Sequence, residues 1–341
     1  MRHLGSANTS TPRAIEDGEL RTLLACPACH GGLVFAPDHI RCRDCDTRYA
    51  IVEGIPLMLA DAPLADATTS EADSPTRGLD AHKQRQIEFF NEEDAEFEIT
   101  RPHGTARLYQ WFLGEKFRRG VRALPAELAG RTALTVCGGS GMDAEYLARA
   151  GAAVIASDLS LGAARRTRER ARRYGLPITV IVADVERLPF ADGAVDLVYV
   201  HDGLHHLEQP TLGLAEMARV AGRAVSITEP ARAAATAVAV RLGLAQQVEE
   251  AGNRVERLEP AAIATLLRAR GFEVVHAERY AMLYRHRPGP IFAALSAPGL
   301  FALTRLGWRA ANRLLGRIGN KLTVQAIRLP ATDATDRQDG R

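Results

Sequence analysis

The stretch Ala133-Leu-Thr-Val-Cys-Gly-Gly-Ser-Gly-Met-Asp-Ala144 constrains the fold more than any other part of the chain. Leu134, Thr135 and Val136 predict a short buried strand, Gly138, Gly139 and Gly141 a tight turn, and residues 142–150 a helix. A strand, a glycine turn and a helix N-terminus in that order make a place for a nucleotide-like ligand. Glycines let the backbone approach closely, and free N–H groups of the first helical turn attract polar or anionic groups. From Arg131 onward strands and helices alternate, which requires a parallel sheet with helices on both faces. The pattern predicts strands at 133–136, 153–157, 178–182, 195–200 and 223–228, and helices at 142–150, 160–174 and 210–220. Two further strands, near 271–275 and 322–327, flank an insertion at 281–319 that is rich in apolar residues and arginine.

A chain of 341 residues makes one large domain or two. Its 46% hydrophobic and 25% charged content is ordinary for a soluble globular protein. A net charge of +2 gives no global electrostatic case for nucleic acid. The N-terminus lacks a signal peptide's apolar core, and no apolar run is long enough to span a bilayer, so a cytoplasmic location is expected.

Four of the five cysteines fall within twenty residues, as Cys26-Pro-Ala-Cys29 and Cys42-Arg-Asp-Cys45. Each C-x-x-C pair makes a knuckle whose two thiolates point at one ion, and two knuckles complete a tetrahedron. Structural zinc is therefore expected at Cys26, Cys29, Cys42 and Cys45, with no coordination position left open for catalysis. Redox exchange is the rival use of such pairs. His30 reads as a bystander, because four thiolates suffice. With the following Tyr49–Leu59 run, residues 22–60 resemble the zinc-ribbon module found alone as a methyltransferase activator and fused to some bacterial methyltransferases. A module of this size buries little core, so zinc is expected to supply much of its folding free energy.

Residues 1–21 and 331–341 are polar and expected to be disordered, and 61–80 read as a linker with Pro63, Ser70, Ser74, Pro75 and Gly78. Residues 81–130 turn helical and gather aromatic side chains in a chain with only 6% of them. One reading is core packing of a helical layer. The other is a lid over a cofactor, with Tyr109 and Trp111 facing substrate. Glu92, Glu93, Asp94, Glu96 and Glu98 form an acidic cluster that would repel a phosphate backbone.

The run Gly139-Ser-Gly-Met-Asp-Ala144 fits G-x-G-x-x-A, which keeps a dinucleotide site open. Asp158, followed by Leu159, ends the second strand where a bidentate acceptor for ribose hydroxyls belongs in either a dinucleotide or an S-adenosylmethionine site. Its bland alternative is the N-cap of helix 160–174, a job Ser160 can also do. The third strand discriminates. Asp184 stands at its end, followed by Val185 and Leu188-Pro189-Phe190. An adenine needs an acceptor for its amine, which Asp184 offers, and a donor for a ring nitrogen, which the Val185 N–H offers.

With these pieces in place, residues 131–230 resemble a class I S-adenosylmethionine-dependent methyltransferase. The resemblance implies a Rossmann-like α/β sheet of seven strands with the last antiparallel, and the 272–276 and 322–328 strands fit that ending. It implies S-adenosylmethionine held by Thr135, Gly138, Gly139, Gly141, Asp158, Leu159, Asp184, Val185 and His201. Two positions depart from the family pattern. An acid commonly stands where Thr135 is, and a glycine where Cys137 is. A threonine hydroxyl accepts a hydrogen bond but brings no charge. Cys137, with no basic neighbour in sequence, reads as a small buried residue.

Methyl transfer from a sulfonium is an in-line displacement that gains most from alignment and a dry pocket. A base is needed only where the acceptor must lose a proton. The candidates follow the fourth strand, in His201-Asp-Gly-Leu-His205-His206. By resemblance His201 lies near the methionine part of the cofactor, while His205 and His206 are either bases or a pair that folds the loop. Glu229, after the fifth strand, and Arg279 and Tyr280, leading into the 281–319 insertion, are further substrate-facing candidates. That insertion is expected to cap the crevice, with Arg305, Arg309, Arg313 and Arg317 on one helical face. A surface helix, docking on an anionic substrate or membrane, and RNA contact all remain open for it. Near-neutral charge and the acidic cluster favour a small-molecule methyltransferase over an RNA base methyltransferase, although some rRNA guanine methyltransferases also carry a zinc ribbon. A non-catalytic cofactor-binding partner protein is a third class. An NAD-linked dehydrogenase is least favoured, because nothing suggests a hydride-transfer substrate site.

Overall fold

The computed structural model describes residues 13–61, 78–124, 128–231, 258–282 and 286–330. The N-terminal module is a short helix α1 (Asp17–Leu23) and four strands, β1 (Leu33–Phe35), β2 (His39–Cys42), β3 (Arg48–Val52) and β4 (Ile55–Met58). β1 to β4 pair in sequence as an antiparallel meander. Helix α1 corrects the expectation of disorder over 1–21. Leu20 and Leu23 pack on the main core, and the following Leu24 is bridged to Phe190, so this turn has apolar surface to bury. Residues 1–12 and 331–341, and 62–77 of the expected linker, lie outside the described residues.

Three helices follow, α2 (Ala81–Asn91), α3 (Ala95–Thr100) and α4 (Arg107–Val121). The alternating segment then runs β5 (Thr132–Val136), α5 (Met142–Arg149), β6 (Ala153–Asp158), α6 (Leu161–Tyr174), β7 (Ile178–Ala183), β8 (Val195–His201), α7 (Pro210–Val220) and β9 (Ala221–Pro230). It closes with α8 (Pro260–Ala269), β10 (Phe272–Tyr280), α9 (Pro290–Ala294), α10 (Pro298–Leu315) and β11 (Lys321–Arg328). Local chemistry matches these boundaries. Ser160 caps α6 by accepting the Ala163 N–H at 3.0 Å, Gly175 ends it at φ +61°, and Pro210 opens α7.

The strand order is β1-β2-β3-β4-β7-β6-β5-β8-β9-β11-β10. β7, β6, β5, β8 and β9 are parallel, and β11 runs antiparallel to both β9 and β10, as expected of the last strand. The expectation of seven strands is corrected to eleven. β4 pairs parallel with β7 through Leu57↔Val182 and Met58↔Ala183, so the N-terminal module continues the main sheet instead of standing apart from it. The gain is physical: the β7 edge would otherwise present unpaired backbone groups. Glu53 adds two ion pairs to α6, with Arg165 at 2.5 Å and Arg168 at 2.7 Å.

Candidate active site at the carboxyl edge of the sheet

The carboxyl ends of β5, β6, β7 and β8 converge on the glycine turn. Gly139 and Gly141 sit at φ +52° and +77°, backbone that other residues adopt at a cost. A Cβ on Gly141 would stand 2.7 Å from Thr167 Cγ2, while the Thr167 hydroxyl donates to the Gly139 carbonyl at 3.0 Å. Cys137 also lies in the left-handed region, at φ +49°. That is the physical reason a glycine suits its position. Burial pushes its thiol well up, in keeping with a packing residue.

Asp158 accepts the Gly139 N–H at 2.8 Å through one oxygen and the Ser160 N–H at 2.9 Å through the other. It therefore ties the glycine turn to the start of α6 and leaves the capping of α6 to Ser160. Burial raises its carboxyl above the usual range against these two bonds, which lower it. Thr135 is 1% exposed, and its hydroxyl oxygen has no hydrogen-bond partner among the described residues. It lies 3.2 Å from where a Cβ on Gly138 would be. A buried hydroxyl left in this state beside an open glycine turn fits a site that a polar ligand completes.

Asp184 follows β7, is 5% exposed, and accepts the Glu186 N–H at 2.9 Å. Its second oxygen is held at 2.6 Å by the Lys83 ammonium of α2, which also lies 2.6 Å from Glu186. Burial lowers the Lys83 pKa, but these two acids outweigh it and the net shift is upward. Val185 is buried and Leu159 half-buried beside these acids. Leu188 and Phe190 are buried in the core with Leu24, so they dock the N-terminal module.

At the end of β8, His201 Nδ1 lies 3.0 Å from both oxygens of Asp143, in the first turn of α5. The His201 side chain is 3% exposed, and its Nε2 has no hydrogen-bond partner among the described residues. Next to it, Asp202 sits at φ +52° with Lys116 of α4 at 2.5 Å and Lys321 of β11 at 2.7 Å. Burial pushes the Asp202 carboxyl up, yet the two ammonium charges hold it well below the carboxylate range. Asp143, Lys83, Lys116 and Lys321 are absent from the sequence expectations.

The remaining candidates separate. Glu229 is fully buried. One of its oxygens accepts the Gly203 and Leu204 N–H groups, both at 2.8 Å, and the other meets His205 Nδ1 at 2.8 Å. The two residues thus meet each other and fold the loop after β8. His206 stacks edge-on with Phe90, and its carbonyl lies 2.7 Å from His82 Nε2. Tyr109 is buried, donating to the His286 carbonyl at 2.6 Å. Trp111 meets Trp308 of α10 edge-on at 5.2 Å. Arg279 binds the Gly319 carbonyl, and Tyr280 is buried beneath the Arg119 guanidinium. These four side chains join the helical layer to the 281–319 segment, whose residues 283–285 lie outside the described ones.

In the N-terminal module the Sγ atoms of Cys26, Cys29, Cys42 and Cys45 lie within 4.8 Å of one another, with Cys29–Cys42 at 3.5 Å and Cys26–Cys45 at 3.7 Å. Tetrahedral zinc with Zn–S of about 2.3 Å places its sulfurs roughly 3.8 Å apart, so the donor set fits that ion. His30 is not part of the cluster. It takes φ +60° in the first knuckle and donates its N–H to the Cys26 carbonyl.

Comparison with known proteins agrees with this geometry over the middle of the chain. Residues 134–224 match the methyltransferase domain family. The demethylmenaquinone methyltransferase of Renibacterium salmoninarum is 36% identical over 105 residues, 31% of this chain and 43% of that protein. The enzyme of the same name from Corynebacterium urealyticum is 40% identical over 91 residues, 27% and 37% of the two chains. The match spans less than half the length of these relatives. Among solved structures, magnesium protoporphyrin IX methyltransferase from Synechocystis aligns with a TM-score of 0.49 at 18% identity, covering 73% of this chain and 100% of the other. The central segment of this chain, residues 134–224, is a methyltransferase domain.

Proposed function

We propose that the protein binds S-adenosylmethionine at the carboxyl edge of the sheet and transfers its methyl group to a small-molecule acceptor. One observation carries the reading: within a methyltransferase domain, Asp158 holds the glycine turn beside a buried Thr135 hydroxyl that has no protein partner. In this arrangement Asp158 offers its remaining lone pairs to the ribose hydroxyls, Thr135 accepts from the methionine end, and Asp184 accepts the adenine amine. The bound cofactor supplies an electrophilic methyl group on a sulfonium. Asp143 accepts from His201 Nδ1–H, which fixes the ring and leaves Nε2 free to take a proton from an acceptor. The curated relatives are named for demethylmenaquinone, a small molecule, which supports that acceptor class over RNA. In the N-terminal module the four thiolates hold structural zinc.

Calorimetry with S-adenosylhomocysteine and with NAD tests the assignment. Binding of the first and not the second, weakened at least tenfold by Asp158→Ala, is the expected outcome. Binding of NAD, or an Asp158→Ala protein that binds S-adenosylhomocysteine as well as wild type, overturns it. Tight, salt-sensitive RNA binding would move the acceptor to the nucleic-acid class.

A further inference from the structure

Helix α10 carries apolar side chains on two opposite faces. Phe301 and Trp308 turn inward, where Phe301 is buried and Trp308 packs on Trp111 and Phe112 of α4. On the other side Leu303, Leu306 and Leu314 are 66%, 67% and 79% exposed, and Ile318 just beyond the helix is equally bare. At 100° per residue these three leucines share one stripe, about 150° from the inward pair. Arg309 and Arg313, both exposed, border that stripe, and Arg317 follows it. Arg305 turns back over the Phe301 and Trp111 rings, so the four arginines do not form one outward face. No aspartate or glutamate occurs between Glu278 and Asp333.

A bare leucine stripe bordered by arginines, on a segment without acids, matches an anionic bilayer surface. The leucines reach the acyl boundary while the guanidinium groups meet lipid phosphates. A copy of the same basic surface would repel it, and RNA would leave the leucines in water. The helix is also too polar to cross: among the described residues no helix is long and apolar enough to span a membrane. We propose that α10 lies flat on anionic lipid, as a peripheral attachment surface. This inference is independent of the cofactor assignment.

The test is sedimentation of the full chain with vesicles of phosphatidylcholine alone and of phosphatidylcholine mixed with phosphatidylglycerol, at low and high salt. Partition into the anionic vesicles, reduced by salt, is expected. Leu303→Ser with Leu306→Ser should lower it at least about tenfold, and Arg309→Gln with Arg313→Gln should remove most of its salt dependence. All four side chains are exposed, so an unchanged Tm and unchanged S-adenosylhomocysteine affinity should accompany both variants. Absence of partition at low salt overturns the proposal. So does a dimer in solution that the leucine variant dissociates, or RNA binding that the arginine variant abolishes while lipid binding is absent.

Discussion

The Lys83 ammonium lies 2.6 Å from an Asp184 carboxylate oxygen, bringing helix α2 onto the acid that ends β7. If that acid is to take an adenine amine, the amine and the ammonium compete for one oxygen, because the Glu186 N–H already uses the other. Lys83→Met removes the competitor without adding a charge. S-adenosylhomocysteine should then bind several-fold tighter by calorimetry, since less of the protein is held in the lysine-bound arrangement. Weaker binding would instead assign Lys83 the work of positioning Asp184 for the ligand.

Glu229 reads in the sequence as a crevice residue, but it is fully buried and its two oxygens meet three partners of the loop after β8. Glu229→Ala leaves two backbone N–H groups and His205 without their acceptor. The expected cost is about 3–5 kcal/mol, read from urea unfolding, because one side of a buried charged network is deleted. A variant as stable as wild type that has lost turnover would place Glu229 against substrate.

The glycine turn, Asp158, Asp184 and the four cysteines are legible in the sequence because each sits where a strand ends or a knuckle repeats. Their partners are not, because those come from elements far away in the chain. His205 and Glu229 stand out separately, yet nothing in their spacing says that they meet. The joining of β4 to β7 is likewise set by tertiary packing, since a four-residue strand does not declare its neighbour. One signal was available for the missed cations. The chain has three lysines, Lys83, Lys116 and Lys321, against forty arginines. All three lie on the strand-end acids Asp184 and Asp202. A lysine brings a compact point charge where a guanidinium fork would need more room.

Glu145 makes the folded state sensitive to acid. Burial raises its pKa, but hydrogen bonds from His103 and Arg149 and the Arg170 charge bring it down to about 2. In the unfolded chain a glutamate titrates at about 4.3. Its contribution is therefore present in full above pH ~5 and is lost as the pH falls from about 4 toward 2, some 3 kcal/mol in all. Urea midpoints measured across that range should fall less steeply for Glu145→Gln than for wild type. Parallel slopes would mean that Glu145 is not ionised in the folded protein.

Removing metal should reach the other end of the sheet edge. The cysteine cluster sets the geometry of β1 to β3, β3 hands the chain to β4, and β4 borders β7, whose next residue is Asp184. Leu24 and Ala25, just before Cys26, also hold the Pro189–Phe190 backbone by a bridge to Phe190 and a 3.0 Å bond to the Pro189 carbonyl. A small module depends on its ion for folding. Purified protein should accordingly hold one equivalent of zinc, and Cys42→Ser should lose it. Chelation should open the β4 and β7 amides to hydrogen exchange before those of β5 and β8, and should weaken S-adenosylhomocysteine binding through the loosened 184–190 loop. Exchange that rises only within residues 22–56 after chelation would show that the metal supports the module and leaves the crevice untouched.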